Sequence, residues 1–158
     1  GTAWLGFKSN EGTGWTAVDT TLAADSVSIC YPSGDADDRL RLLIAHSGTL
    51  TGYLASESGS TTMAFTLGSG DYGDLAFSPN NVMYGLRLNS GTIYVKAYDT
   101  QGNLIGSEVT SNITGIDDAP IAAETSVGSG GELRLHVLYT VSGSLVIKTS
   151  LDGGATFS

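Results

Sequence analysis

An all-β fold built from one recurring sheet is predicted by three observations in this 158-residue sequence. Landmarks recur every 46–47 residues. Within each recurrence, apolar residues follow a period of two rather than 3.6. Clusters of Gly, Ser and Thr punctuate apolar runs of strand length. The chain has 22 Gly and only 3 Pro, and its 41% hydrophobic content is too high for a disordered segment.

The repeat carries the argument, because a missed repeat misassigns the whole fold. Leu40-Arg41-Leu42, Leu86-Arg87-Leu88 and Leu133-Arg134-Leu135 are spaced 46 and 47 residues apart, counted from the arginines. Ile29, Leu75 and Ile121 precede them at intervals of 46, as do Asp25, Asp71 and Asp117. A small-residue turn follows each: Ser47-Gly48-Thr49-Leu50, Ser90-Gly91-Thr92-Ile93 and Ser142-Gly143-Ser144-Leu145. Turn signals at Pro32-Ser33-Gly34-Asp35, Ser78-Pro79-Asn80-Asn81, Gln101-Gly102-Asn103 and Gly128-Ser129-Gly130-Gly131 separate the β-rich runs. No stretch has helical periodicity.

Each repeat therefore reads as about four antiparallel strands, which is the size of a β-propeller blade. Residues 1–20 read as the closing half of a blade, 21–67 and 68–113 as two blades, and 114–158 as a third. A blade buries its faces against its neighbours, and a closed propeller takes four or more blades. About three blades are an incomplete propeller. The expectation is a fragment of a longer chain, or a ring completed by further copies.

The C-terminal run Ser150-Leu151-Asp152-Gly153-Gly154-Ala155-Thr156-Phe157 resembles the Asp-box, S-x-D-x-G-x-T-W/F, of sialidase-like propellers with BNR repeats. The resemblance implies a hairpin turn in which the Asp side chain accepts backbone N–H groups, the glycines adopt angles other residues resist, and the aromatic packs beneath. Decayed copies stand at Ser56–Met63, two periods upstream, and at Ser9–Trp15, while Asp99-Thr100-Gln101-Gly102-Asn103 reads as a plain hairpin turn. The implied Asp-box residues are Ser150, Asp152, Gly153, Gly154, Thr156 and Phe157, in a structural role.

Sialidases of this architecture grip a substrate carboxylate with three arginines. Arg41, Arg87 and Arg134 would imitate that only by converging near the axis. Their constant separation of 16 residues from Asp25, Asp71 and Asp118 predicts structural ion pairs instead, since a buried charge needs a partner. The F/Y-R-I-P motif is absent, and no Tyr or Glu falls in a recognisable catalytic motif. Asp35, Asp37 and Asp38 alternate in a loop as Ca²⁺ ligands do, but the full calcium-loop pattern is missing, so a solvated acidic turn is expected and no cofactor. His46 and His136 form no zinc-spaced pair. Asn112-Ile113-Thr114 fits the N-glycosylation pattern. Cys30, the single cysteine, excludes an internal disulfide and reads as a small buried residue.

Seven basic against 16 acidic side chains leave a net charge of −9. Such a surface repels nucleic acid and anionic membranes, and no apolar run is long enough to span a bilayer. A glycan or a protein is the expected partner. The sequence thus predicts a non-catalytic binding or structural module of a secreted, cell-surface or virion protein. A fragment of an extracellular sialidase-type glycoside hydrolase is the alternative.

Overall fold

The computed structural model describes residues 1–7, 16–30, 39–56 and 60–158. Every regular element among them is a strand: β1 (Thr2–Phe7), β2 (Thr16–Ala23), β3 (Ser26–Cys30), β4 (Leu40–His46), β5 (Thr49–Ala55), β6 (Thr61–Ser69), β7 (Tyr72–Phe77), β8 (Met83–Asn89), β9 (Thr92–Tyr98), β10 (Leu104–Thr114), β11 (Ala122–Val127), β12 (Leu133–Val141) and β13 (Ser144–Ser150). They form antiparallel sheets in simple up-and-down order: β1-β2, β3-β4-β5-β6, β7-β8-β9-β10 and β11-β12-β13. No helix among the described residues is long and apolar enough to cross a membrane.

The recurrent Ser-Gly pairs explain the hairpins. Ser47, Ser90 and Ser142 all have φ near 50°, and Gly48, Gly91 and Gly143 follow at 70°, 72° and 74°. Two successive positive φ values define the type I′ turn, whose twist matches that of paired strands. These turns join β4 to β5, β8 to β9 and β12 to β13. They also tether the chain leaving each sheet, because the N–H of Gly70 donates to the Gly48 carbonyl (3.1 Å) and that of Ile116 to the Gly91 carbonyl (3.2 Å).

Counting from the turn serine gives the direction of every side chain on the strand before it, because successive residues point to opposite faces. Residues an even number of positions before the serine (Leu43 and Ala45; Leu86 and Leu88) face the following sheet. They meet Leu75 and Met83 in one core and Leu135, Val137 and Tyr139 in the other. Residues at odd offsets (Leu42 and Ile44; Leu135, Val137 and Tyr139) face the preceding sheet, Leu42 and Ile44 lying near Leu22 and Ala24. The sheets are thus stacked in chain order around three apolar cores.

The first strands β3, β7 and β11 lie side by side along the inner edge of the stack. Asp74 on β7 binds them together: its carboxylate accepts the Ser28 hydroxyl from β3, the Ala123 N–H from β11 (2.7 Å) and the Leu75 N–H (2.9 Å). Thr125 of β11 adds a bond from its hydroxyl to the Phe77 carbonyl.

Candidate functional site

A group of charged and aromatic side chains lies at the seam between the β3–β6 and β7–β10 sheets. Arg87 stands three residues before Ser90, so it points backward onto the edge of β6. There its Nη1 donates to the Ser69 carbonyl at 2.8 Å. Gly68, at φ 118°, leaves the space; a Cβ there would lie 3.4 Å from the arginine Nε. The guanidinium covers the Tyr94 ring at 4.0 Å from its centroid, a cation–π arrangement.

Glu108 completes the group. Its Oε1 and Oε2 accept from Arg87 Nη2 at 2.8 Å and Nε at 3.2 Å, a two-point pair. The pairing of β10 with β9 shifts register between Ile105 and Val109, and Gly106 has φ 78°. This irregularity brings Glu108 over β9, as bulges do when they re-aim a side chain. Lys96 lies 3.5 Å from Glu108 and donates to the Leu67 carbonyl at 2.8 Å. Partial burial pushes the Glu108 carboxyl upward, but the Arg87 bonds and charge, with Lys96, outweigh it and leave the pKa below the ordinary value. Tyr98 donates to the Thr66 carbonyl at 3.3 Å, and desolvation raises its hydroxyl to about 12. The group offers donors held by main-chain carbonyls of the neighbouring sheet, an ionised carboxylate still 30% exposed, and an aromatic ring under the guanidinium.

The predicted Asp–Arg pairs are corrected by this geometry. Arg87 takes Glu108 rather than Asp71. Arg134 takes Glu132, whose Oε1 accepts its Nε at 3.1 Å, rather than Asp118. Arg41 is fully buried and donates to the Arg39 and Thr100 carbonyls. Asp25 instead sits beside the far end of β4, where its Oδ2 accepts the Ser47 N–H at 3.0 Å and lies 3.4 Å from His46. Asp117 makes the corresponding cap, accepting the N–H groups of Ser142 and Gly143 at 2.9 Å. These turn N–H bonds, from Ser47 for Asp25 and from Gly143 and Ser142 for Asp117, hold both carboxyls below the usual range. In the first and third repeats the recurring aspartate thus caps the type I′ turn.

Nor do the three arginines occupy one position. Arg41 is six residues before its turn serine (47 − 41), Arg87 three (90 − 87) and Arg134 eight (142 − 134). The counterpart of Arg134 is Arg39 (47 − 39), which donates to Gln101 at 3.2 Å. Sequence reasoning missed Glu108 as a partner. The signal available was Gly106 inside an otherwise β-rich run, the mark of a bulge.

Ser150–Phe157 folds as a closed turn on the outer side of the third sheet. Asp152 accepts the Ser150 hydroxyl at 2.7 Å, the Thr156 N–H at 2.9 Å and the Thr156 hydroxyl at 2.6 Å. Ser150 Oγ in turn accepts the Gly154 N–H at 2.8 Å. Gly153 and Gly154 have φ 72° and 100°, and Phe157 is buried against the second sheet. The Thr156 hydroxyl and N–H, then the Ser150 hydroxyl, lower the Asp152 carboxyl to about 2. Its stabilisation is therefore present above the ordinary value of 3.8 and lost as pH falls toward 2. Between pH 4 and 2 the melting temperature of the natural protein should fall more steeply than that of Asp152→Asn; parallel slopes would remove the carboxylate from the turn's support. The turn after β9 is capped in the same manner, with Asp99 Oδ1 accepting from Gln101 and Asn103 N–H at 2.9 Å.

Other expected residues fall as follows. Asp25, Asp71 and Asp118 line one surface depression of about 290 Å³ with His46. Among the described residues no three His, Cys, Asp or Glu side chains are placed to hold a metal. Asp35, Asp37 and Asp38 lie outside the described residues, as do Ser9–Trp15 and residues 57–59 of the decayed motif copies. Cys30 is half-buried, and desolvation, then Asp74 and Glu124, push its thiol up to about 11, which leaves it unreactive at neutral pH. The Asn112 amide donates to the Phe157 carbonyl at 3.2 Å and accepts the Phe157 N–H at 2.8 Å.

No family model and no curated protein matches the chain. Solved structures do. AofleA from Arthrobotrys oligospora superposes with a TM-score of 0.70 at 14% identity, over 94% of this chain and 46% of that one. This chain shares its fold. A variant of AofleA in which three evenly spaced arginines are replaced by alanine superposes at 0.68, with 13% identity over the same shares. A bifunctional GH43-CE protein of Bacteroides eggerthii aligns over 98% of the chain at a TM-score of 0.48. The chain spans about half the length of AofleA, whose fold is β-propeller-like.

Proposed function

We propose that this chain is about three blades of an incomplete β-propeller, and that it is a non-catalytic module binding a glycan at the Arg87–Tyr94–Glu108 seam. The seam is the observation that carries this reading. A sugar presents adjacent hydroxyls; the Glu108 carboxylate, fixed by the buried Arg87 and still 30% exposed, accepts from them beside the Lys96 ammonium. The shared fold with AofleA supports the propeller part of the reading. The closed, Asp-centred turn at Ser150–Phe157 supports the kinship with sialidase-like Asp-box propellers, and its place on the outer turn fits a structural role. The net charge of −9 fits a secreted, cell-surface or virion protein.

Screening the chain on an array of neutral and acidic glycans tests the reading, with titration of the best ligand against the natural protein and Arg87→Ala. A charge-assisted bond is worth about 1.5–3 kcal/mol, so Arg87→Ala should weaken binding by roughly tenfold or more while circular dichroism is unchanged. Binding untouched by Arg87→Ala, or no glycan bound at all, contradicts the assignment. Turnover of a fluorogenic sialoside would favour the hydrolase reading instead.

A further inference from the structure

Asn112 lies on β10, where the pairing with β9 shifts register between Thr110 and Thr114. The buried Ser111 hydroxyl accepts the Ile113 N–H at 3.1 Å and holds this kink. The kink aims the Asn112 side chain at the third sheet, as bulges re-aim side chains. There its Oδ1 accepts the Phe157 N–H at 2.8 Å, and its Nδ2 donates to the Phe157 carbonyl at 3.2 Å. Ser158 exchanges both of its main-chain bonds with Thr149, each at 3.0 Å. Phe157, one residue earlier, therefore points its N–H and carbonyl the other way. Its backbone is thus met by Asn112 as it would be by a neighbouring strand.

The same amide begins Asn112-Ile113-Thr114, the one N-glycosylation pattern in the chain. A two-point bond to a single residue uses the amide hydrogen on the Oδ1 side. An N-linked sugar takes that same position, because a secondary amide holds its substituent trans to the carbon chain and so beside the oxygen. The hydrogen that remains points away from Phe157. We infer that Asn112 is a modification-sensitive latch: an N-linked sugar on its amide and the seating of Phe157 on the second sheet exclude each other. In the modifying step Nδ2 bonds to the anomeric carbon of a diphosphate-activated sugar. The bond from that carbon to the diphosphate oxygen breaks, the diphosphate leaves as an anion, and the amide gives up one proton to the transferase. The latch is independent of glycan binding at the Arg87 seam.

A sequon-specific N-glucosyltransferase with UDP-glucose tests it, read as the gain of one hexose in the intact mass. A peptide spanning residues 103–122 gives the rate for an open acceptor, and the folded natural chain should be slower by roughly a hundredfold. Phe157→Ala removes the buried ring that seats the turn, and should be modified roughly tenfold faster than the natural chain. Gly73→Ala crowds Leu50 and Leu43 at the other seam, leaves the Asn112 bonds in place, and should stay near the natural rate. Equal uptake by Phe157→Ala and the natural chain, or an equal gain in Gly73→Ala, overturns the latch. The reverse direction is read by amide exchange on chain glucosylated during synthesis, beside Thr114→Ala, which keeps Asn112 but loses the acceptor pattern. Exchange over residues 150–158 should quicken roughly tenfold in the glucosylated chain, while the β4–β5 hairpin keeps its protection. Unchanged exchange over residues 150–158 also overturns the inference.

Discussion

Replacing Phe157 with alanine is expected to lower the unfolding free energy by about 3–5 kcal/mol, the range for truncating a buried aromatic. The ring is 4% exposed and shares a core with Val95, Ile113, Leu135 and Val137, so it joins the third sheet to the second. Gly154 lies against Val95 and leaves no room for the turn to sink into a vacated space, since even a Cβ there would come within 2.7 Å of the valine. The cavity therefore stays open, and the two Asn112 bonds to the Phe157 backbone lose their anchor. Urea unfolding of Phe157→Ala beside Leu151→Ala provides the measurement. Leu151 is exposed, and its truncation should change stability by no more than about 0.5 kcal/mol. Equal effects for the two would show that the turn is not seated on the second sheet.

Gly73→Ala is expected to cost about 3 kcal/mol by overpacking. Gly73 lies on β7 opposite Arg87, with Leu50 and Leu43 of the first sheet packed against it. A Cβ there would stand 2.3 Å from Leu50 Cδ2, 2.6 Å from the Leu86 carbonyl oxygen and 2.9 Å from Leu43 Cδ2. The leucine tips can turn aside, but the carbonyl is fixed by the β7–β8 ladder, so the strands must part. Gly130→Ala is the control, because its Cβ would meet only the flexible carboxylate end of Glu132. Leu50→Val in the Gly73→Ala background should restore part of the loss, read as a coupling energy in a double-mutant cycle. An alanine at position 73 as stable as glycine would mean that the first two sheets are further apart than described.

Much of this architecture was legible in the residues. The Ser-Gly pairs fall at the hairpin tips because glycine takes positive φ at no steric cost, and only a few turn types join paired strands tightly. The period of two in Leu133–Tyr139 is the strand's own alternation, so the buried Leu135, Val137 and Tyr139 follow from it directly. The terminal motif told of a turn because its hydrogen bonds are local, all within seven residues.

The candidate site was the harder part. Leu-Arg-Leu looks like one repeated unit, yet Arg87 faces the sheet before it, while Arg41 and Arg134 face the other way. A repeated tripeptide states composition, whereas the face depends on parity counted from the turn. Asp25, spaced from Arg41 as a partner would be, belongs to the turn instead, because antiparallel register places Asp25 beside His46 and Cys30, not Asp25, beside Arg41. Glu108 could be matched to Arg87 only after the irregularity at Gly106 was seen.

Local matters were written in the residues: strands, hairpin turns, the repeat length and the terminal turn. Each depends on backbone angles and alternation within a few residues. Which charges meet, and that Asp74 joins three inner strands, emerged from the folded arrangement. Those outcomes depend on register and on the stacking of one sheet upon the next, distances that no single segment of chain encodes.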